Sequence, residues 1–254
     1  MISKNFVLSI IVPVYDEEAT ISATLDALLR LESSFSSMEI IVVDDGSQDK
    51  TLDKLKEFPS VNCVRHEINM GKGAAIKTGL KNAVGDIIVI QDADLEYDPS
   101  YIPYLVQPII SGEADVVYGS RFLGKPNGMS RSHHIGNAIL SRVMSILYNV
   151  EISDVMTGHK AFIRKVFDSI SLEEKGFSVE IELTSKVLRG GWKLTEIPIS
   201  YSYRSHGKAK IRYLDGFSSL LKILSYRFRR TSRRDESEFL EINHQFRQRM
   251  ESKK

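Results

Sequence analysis

Short, unbroken runs of β-branched and aliphatic residues, each followed by a helical pattern, constrain this chain more than any other feature. They stand at 7–14 (VLSIIVPV), 39–45 (EIIVVDD), 62–66 (NCVRH, the weakest), 86–91 (DIIVIQ) and 114–120 (ADVVYGS). Between them, apolar residues recur at helical spacing: Ile21, Leu25, Leu28 and Leu29; Leu52 and Leu55; and Ile102, Leu105, Val106, Ile109 and Ile110. GKGAAIKTGLKNA opens a further helix after two glycines. A strand without polar alternation is apolar on both faces and needs cover on both. Alternating strands and helices supply it, which predicts an α/β fold on a predominantly parallel sheet. With 254 residues and 42% apolar composition, the chain can bury a substantial core.

In such sheets ligands gather beyond the carboxyl ends of the strands. The carboxylates fall there: Asp16 and Glu17 after the first run, Asp44 and Asp45 after the second, and Asp92, Asp94, Glu96 and Asp98 after the fourth. Residues at i and i+2 of an extended segment point the same way, so Asp92, Asp94 and Glu96 can converge. Like charges about 5 Å apart repel and call for a cation. Hard oxygen ligands without histidine or cysteine suit Mg²⁺ or Mn²⁺, completed by substrate phosphates. The competing reading is a solvated acidic turn. Asp98 precedes Pro99 and is expected to cap the next helix.

In VVDDGSQDKT, Gly46 and Ser47 make a tight turn, and Asp49 and Thr51 suit the helix cap. Capping uses one carboxylate, so Asp44 and Asp45 remain to accept hydrogen bonds from base N–H or ribose hydroxyl groups. NMGKGAAIKTG lacks the spacing of a Walker phosphate loop. A helix N-terminus near bound phosphates stays open as a reading.

The second half changes character. GKPNGMSRSHH (124–134) is expected to be a polar loop, followed by a helix carrying Ile139, Leu140, Val143, Met144, Ile146 and Leu147. HKAFIR then reads as a strand, VEIELTSKVLR as a helix, WKLTEIPISYSY as a long strand and DGFSSLLKILSYRF as an amphipathic helix. One domain over 1–230, with a nucleotide half and an acceptor half, is expected, then a charged tail over 231–254. Lys and Arg number 34 against 33 acidic residues, so global charge favours no partner. The single Cys63 excludes an internal disulfide and reads as filler in an apolar strand. No run approaches the roughly 18 apolar residues of a membrane span, and the N-terminal apolar run continues into a strand rather than a cleavage site. Basic residues lack interleaved stacking aromatics outside the last helix, so nucleic acid is not an expected partner.

PVYDEE, VVDDGSQDKT, NMGKGAAIKTG, QDADLE, GSR, DVMTGHKAF and EIPISYSYRSHGKAK occur in this order. Over roughly residues 7–228 the chain resembles the inverting family-2 glycosyltransferases of GT-A (Rossmann-like) fold, in particular the polyprenyl-phosphate sugar synthases of the dolichol-phosphate mannose synthase type. The resemblance implies a nucleotide-sugar donor of the GDP-mannose or UDP-glucose type, a divalent metal (Mg²⁺ or Mn²⁺) and a dolichyl or undecaprenyl phosphate acceptor. It also implies a peripheral place on the cytoplasmic membrane face. By matching motif, Pro13, Tyr15 and Glu17 hold the nucleoside, and Val43 and Asp45, with Asp44 adjacent, contact base and ribose. Asp92, Ala93 and Asp94 form the metal and diphosphate motif, with Glu96 at its end. Arg121, Arg204 and Lys210 match the cations around the phosphates. Asp16-Glu17 stands where the family usually has Asn-Glu, Gly207-Lys208-Ala209-Lys210 replaces its G-x-S-K, and Arg131, His133 and His134 match the basic acceptor loop loosely.

The acceptor decides the remaining chemistry. A hydroxyl needs a general base, for which Glu180 or Glu182 is the candidate. A phosphate monoester, with its second pKa near ~6, is already largely dianionic and needs only positioning, by Arg121 and Arg131, with Glu180 orienting neighbours. The bland reading of the two acids is a solvated helix face, Glu182 pairing with Lys186 at i, i+4. A nucleotide-sugar pyrophosphorylase would want a glycine-rich basic loop where PVYDEE stands. RYLDGFSSLLKILSYRFRRTSRR joins an apolar face (Leu214, Phe217, Leu220, Leu221, Leu224) to Arg227, Arg229, Arg230, Arg233 and Arg234, a pattern suited to an anionic membrane surface; the competing reading is a helix that caps the sheet or forms an oligomer interface.

Overall fold

The structure, a computed structural model, describes residues 6–127, 129–202 and 213–229, without the side chains of 125–127, 131 and 213–217. Its strands are β1 (Leu8–Val14), β2 (Met38–Asp44), β3 (Asn62–Arg65), β4 (Ile87–Ile90), β5 (Val116–Asn127), β6 (Lys160–Ile163) and β7 (Leu194–Ser202). The helices are α1 (Ile21–Leu29), α2 (Thr51–Leu55), α3 (Lys72–Asn82), α4 (Ile102–Ile110), α5 (Arg131–Tyr148), α6 (Arg164–Ser169), α7 (Val179–Arg189) and α8 (Tyr213–Phe228). The strands form one sheet in the order β3-β2-β1-β4-β6-β5-β7. Leu8, Ile10, Ile11 and Val12 of β1 are fully buried, as the absence of polar alternation requires. Each such side chain contributes about 1.5–3 kcal/mol on leaving water.

The predominantly parallel sheet is as predicted: β1 pairs in parallel with β2 and β4, β2 with β3, and β5 with β7. The exception is β6, antiparallel to both β4 and β5. Four buried residues, KAFI, carry no directional signal; the chain's return through α5 sets the direction.

Two local expectations are corrected. The polar loop predicted over 124–134 shrinks to a few residues. β5 passes an irregularity between Ser120 and Lys125 and pairs again through Asn127 with Ser202. α5 then starts at Arg131, where the Ser130 hydroxyl accepts from the His133 N–H at 3.3 Å. Pro126 looks like a turn residue locally, but pairing with Tyr201 of β7, distant in sequence, holds it extended. Cys63 is exposed rather than core filler, because β3 is the sheet's edge strand.

The loops leaving β1 and β2 are tied together. The Asp16 N–H donates to Ser47 Oγ (3.0 Å), Glu17 N–H to Thr51 Oγ1 (2.9 Å) and Glu18 N–H to Asp49 Oδ2 (3.0 Å), while Asp16 Oδ1 accepts from the Gln48 N–H (2.8 Å). Asp98 accepts from the Ser100 N–H at 2.8 Å and caps the turn before α4, as expected.

Candidate active site

A cavity of about 500 Å³ opens where the ends of β1, β2 and β4 meet α3, α5 and α7. Eleven of the residues singled out from sequence line it: Pro13, Tyr15, Glu17, Asp45, Asp92, Ala93, Asp94, Glu96, Arg121, His133 and Glu180. Segments as far apart as 13 and 180 converge there, which is what the strand-end argument requires.

The turn after β4 aims its acids deliberately. Leu95 adopts a left-handed φ of 60°, Thr24 Oγ1 donates to the Ala93 carbonyl (3.0 Å) and Gln91 Nε2 to the Tyr97 carbonyl (2.9 Å). A Cβ at Gly158 would lie 1.9 Å from Asp92 Oδ2, so glycine is needed behind that carboxylate. Asp94 Oδ1 accepts from the Glu96 N–H at 3.1 Å. The Glu96 carboxylate itself accepts from the Tyr201 hydroxyl at 3.0 Å. Among the described residues, no three His, Cys, Asp or Glu side chains form a ready metal cage. The donor set nonetheless fits a hard cation: Asp92 and Asp94 offer oxygens to the cavity, and a magnesium-type site takes its remaining ligands from phosphates and water.

Beneath Asp92 lies a chain of buried charges. Lys72 Nζ stands 2.7 Å from Asp92 Oδ1, 3.0 Å from Oδ2 and 2.9 Å from Glu180 Oε1. The other Glu180 oxygen pairs with the fully buried Lys160, which also donates to the Val155 carbonyl (3.2 Å) and lies 4.6 Å from the centre of the Tyr118 ring. Burial works to raise the Glu180 carboxyl, but Lys160 and Lys72 outweigh it and hold the group below its ordinary value. Burial raises the Asp92 carboxyl, with Lys72 pulling it back. For Lys72, burial opposes the charge, but Asp92 and Glu180 prevail and keep the ammonium above its ordinary value.

Arg121 lines the cavity with its charge already matched. Its Nε and Nη2 each donate to Asp154 at 2.7 Å, and the rings of Tyr97 and Tyr201 flank the guanidinium at 5.7 and 5.6 Å. Asp45 holds the loop before α3: it accepts from the Met70 N–H (2.9 Å) and Gly71 N–H (2.7 Å) and lies 2.6 Å from His66 Nδ1. Val43 and Asp44 are buried away from the cavity. Asp44 accepts from the Ser47 N–H (3.0 Å) and pairs with Arg65 (3.3 Å), shaping the turn.

The two acids of α7 separate cleanly. Glu180 lines the cavity; Glu182 does not. The predicted Glu182–Lys186 pair exists at 2.7 Å, but Glu182 is fully buried and accepts from the Glu173 and Glu174 N–H groups (2.7 and 2.8 Å), so the solvated-face reading is corrected. Arg204, Lys210 and the Arg131 side chain lie outside the described residues. His133 lines the cavity, and His134 packs edge-on against Phe122. Sequence reasoning missed Lys72, Lys160, Asp154, Tyr97 and Tyr201. Lys72 carried a signal as the first helical residue after Gly71, and Asp154, Lys160 and Tyr201 stand inside the motifs DVMTGHKAF and EIPISYSYRSHGKAK.

Comparison with known proteins agrees with this architecture. The model of the family described as Glycosyl transferase family 2 matches residues 9–171. The dolichol-phosphate mannosyltransferase of Pyrococcus furiosus is 29% identical over 215 residues, 81% of this chain and 59% of that protein, so the chain spans little more than half of that relative. The undecaprenyl-phosphate mannosyltransferase of Micrococcus luteus is 28% identical over 213 residues, 79% of this chain and 86% of its own. Among solved structures, the glucosyl-3-phosphoglycerate synthase of Mycobacterium tuberculosis with Mn²⁺, UDP-glucose and phosphoglyceric acid superposes with a TM-score of 0.73 at 24% identity, covering 90% of this chain and 82% of that one. That likeness shows the GT-A fold. With the family match extending over more than half of its length, the chain belongs to glycosyl transferase family 2.

Proposed function

We propose that this protein is a metal-dependent, inverting glycosyltransferase that moves a sugar from a nucleotide-sugar of the GDP-mannose or UDP-glucose type to a polyprenyl phosphate. The observation that carries the reading is Asp92 and Asp94 facing one cavity with the Pro13–Glu17 segment, Asp45 and Lys72. The names of the Pyrococcus and Micrococcus relatives support the lipid-phosphate acceptor, and the ligands of the mycobacterial synthase support Mn²⁺ and a nucleotide-sugar.

Within that reading, the acceptor phosphate oxygen bonds to the anomeric carbon as the bond to the nucleoside diphosphate breaks, and the diphosphate leaves with the electron pair. A divalent ion held by Asp92 and Asp94 would neutralise the charge that gathers there. Pro13, Tyr15 and Glu17 form the nucleoside wall, and Asp45 fixes the loop beside it. Lys72, with Arg204 and Lys210, supplies cations to the phosphates. Glu180 argues for a phosphate acceptor over a hydroxyl. Held ionised between two ammonium groups, it is a poor general base, and a dianionic phosphate needs none. Arg121, fixed by Asp154 between two tyrosine rings, serves as a wall that orients rather than as a loose cation. A lipid-linked acceptor also implies that the protein rests on a membrane surface, on its cytoplasmic face, as a peripheral protein.

The test is a donor screen with Mn²⁺ or Mg²⁺, with and without a short-chain polyprenyl phosphate. Turnover that requires the lipid phosphate is expected, and Asp94→Ala should lower kcat/KM by about 10²-fold or more. Product formed only with an added sugar or alcohol would move the acceptor to the hydroxyl class. Undiminished turnover by Asp94→Ala would remove the metal assignment.

A further inference from the structure

The Lys72 ammonium sits where a cation bound to Asp92 would sit. It straddles the carboxylate, 2.7 Å from one oxygen and 3.0 Å from the other, and reaches Glu180 at 2.9 Å. Its side chain is only 12% exposed. Asp92 Oδ2 occupies room that only a glycine at 158 leaves, since a Cβ there would lie at 1.9 Å. Lys160 secures the far oxygen of Glu180. Asp92, Lys72, Glu180 and Lys160 thus alternate carboxyl and amine, and their formal charges cancel. A divalent ion joining Asp92 would meet an ammonium already on both carboxylate oxygens, in a partly buried site where water screens the repulsion incompletely.

We infer that Lys72 is the resident counter-cation of this site: its pairing with Asp92 and the binding of a divalent ion to Asp92 exclude one another. The inference rests on the reading of Asp92 and Asp94 as cation ligands. Its consequence is coupling. A divalent ion alone must displace Lys72 and binds weakly. When the ion arrives with a nucleoside diphosphate, the displaced ammonium, still tethered at Glu180, faces an anion instead of empty solvent. The metal and the diphosphate therefore bind cooperatively, with Lys72 carrying part of the linkage. Premature loading of the site by a free cation is disfavoured for the same reason.

The test needs no turnover. Mn²⁺ binding to the full chain is measured by electron paramagnetic resonance, with and without UDP or GDP, for wild type, Lys72→Gln and Lys72→Arg. Lys72→Gln is expected to bind Mn²⁺ about tenfold more tightly without nucleotide, and to gain less from added diphosphate, whereas Lys72→Arg stays near wild type. Equal or weaker Mn²⁺ binding by folded Lys72→Gln would overturn the inference while leaving the metal reading intact. No Mn²⁺ binding by any form, with or without diphosphate, would overturn both. Should Lys72→Gln not fold, wild-type protein labelled with ¹⁵N at lysine Nζ gives the answer. The Lys72 resonance should shift as Mg²⁺ saturates the nucleotide-free site, and a fixed resonance during saturable binding would refute the displacement.

Discussion

At the scale of single residues, the molecule keeps several ionisable groups buried for shape rather than exchange with solvent. His159 is the plainest. It is fully buried, both ring nitrogens lie without a hydrogen-bond partner among the described residues, and its ring packs 6.0 Å from that of Tyr97. Burial pushes its pKa down to about 3, against an ordinary 6.5, with Asp98 opposing weakly. The folded state therefore stays neutral at pH values where the unfolded chain takes up a proton. Its contribution to stability is intact above pH 6.5 and is lost as pH falls from there toward 3, at about 1.4 kcal/mol per pH unit. Urea unfolding at pH 7 and pH 5 should thus differ by about 2 kcal/mol more in wild type than in His159→Leu, which has no proton to gain. The same difference in both proteins would refute the assignment. His159 also marks a limit of sequence reading: as one of several isolated histidines it carries no sign of burial, which the antiparallel entry of β6 imposes. Asp45 and Glu180 were legible as site residues from their motifs. The partners of Glu180 were not, because Lys72 and Lys160 reach it from other segments of the chain.

Elements were more legible than contacts, since each strand and helix writes its period into the chain. All seven runs read as strands became strands, and VEIELTSKVLR matches α7, Val179–Arg189. What periodicity cannot supply is how closely elements approach. α3 shows why that matters. Gly79 lets the helix lie directly on β1: a Cβ there would come within 2.4 Å of Ile11 Cγ2, and Ile11 is fully buried. A mid-helix glycine gives up about 1 kcal/mol of propensity against alanine. Gly79→Ala regains that amount but must push α3 off the sheet or Ile11 out of its rotamer, an overpacking of typically 1–3 kcal/mol. Net destabilisation is expected from denaturant unfolding. Ile11→Ala deletes the clashing methyl, so the double variant should be more stable than the sum of the singles requires, by about 1 kcal/mol or more. Simple additivity would mean that the helix stands clear of Ile11. The lost spacing would be felt at the site, because α3 begins with Gly71 and Lys72, wedged under the 174–176 segment, where a Cβ on Gly71 would meet the Lys175 carbonyl at 2.5 Å.

At the scale of the whole molecule, the cavity and an exposed apolar surface share one helix. α5 turns Leu140 and Met144 into the core and sets Ser130, His133 and Asn137 at or beside the cavity, yet it leaves Ile135, Ile139 and Ile146 at 59, 53 and 65% exposure. α8 packs beside it with Ile223 and Tyr226 inward and Leu221, Leu224 and Phe228 outward. Arg227 bonds to the Leu147 carbonyl while lying over the Tyr148 ring, which fastens α8 to α5, and Arg189 at the end of α7 bonds to the Tyr226 and Arg229 carbonyls. No helix among the described residues is long and apolar enough to cross a membrane. Such exposed apolar faces are candidates for a peripheral contact. The sequence expectation assigned that contact to both apolar and basic groups, but the exposed Arg227 and Arg229 are already engaged by the protein itself, the former by the Leu147 carbonyl and the latter by Glu173 at 2.8 Å. Arg230, Arg233, Arg234 and the 231–254 tail lie outside the described residues. The apolar part therefore admits its own test. Each half-exposed isoleucine is worth about 1 kcal/mol on entering lipid, so Ile135→Ser/Ile139→Ser/Ile146→Ser should weaken sedimentation with liposomes by about 10²-fold on neutral and anionic lipid alike. Deleting 231–254 should weaken binding on anionic lipid only, and more so at low salt. If the triple variant sediments like wild type on both lipids, the face is not what meets the membrane, and a lipid-borne acceptor must reach the cavity by another side.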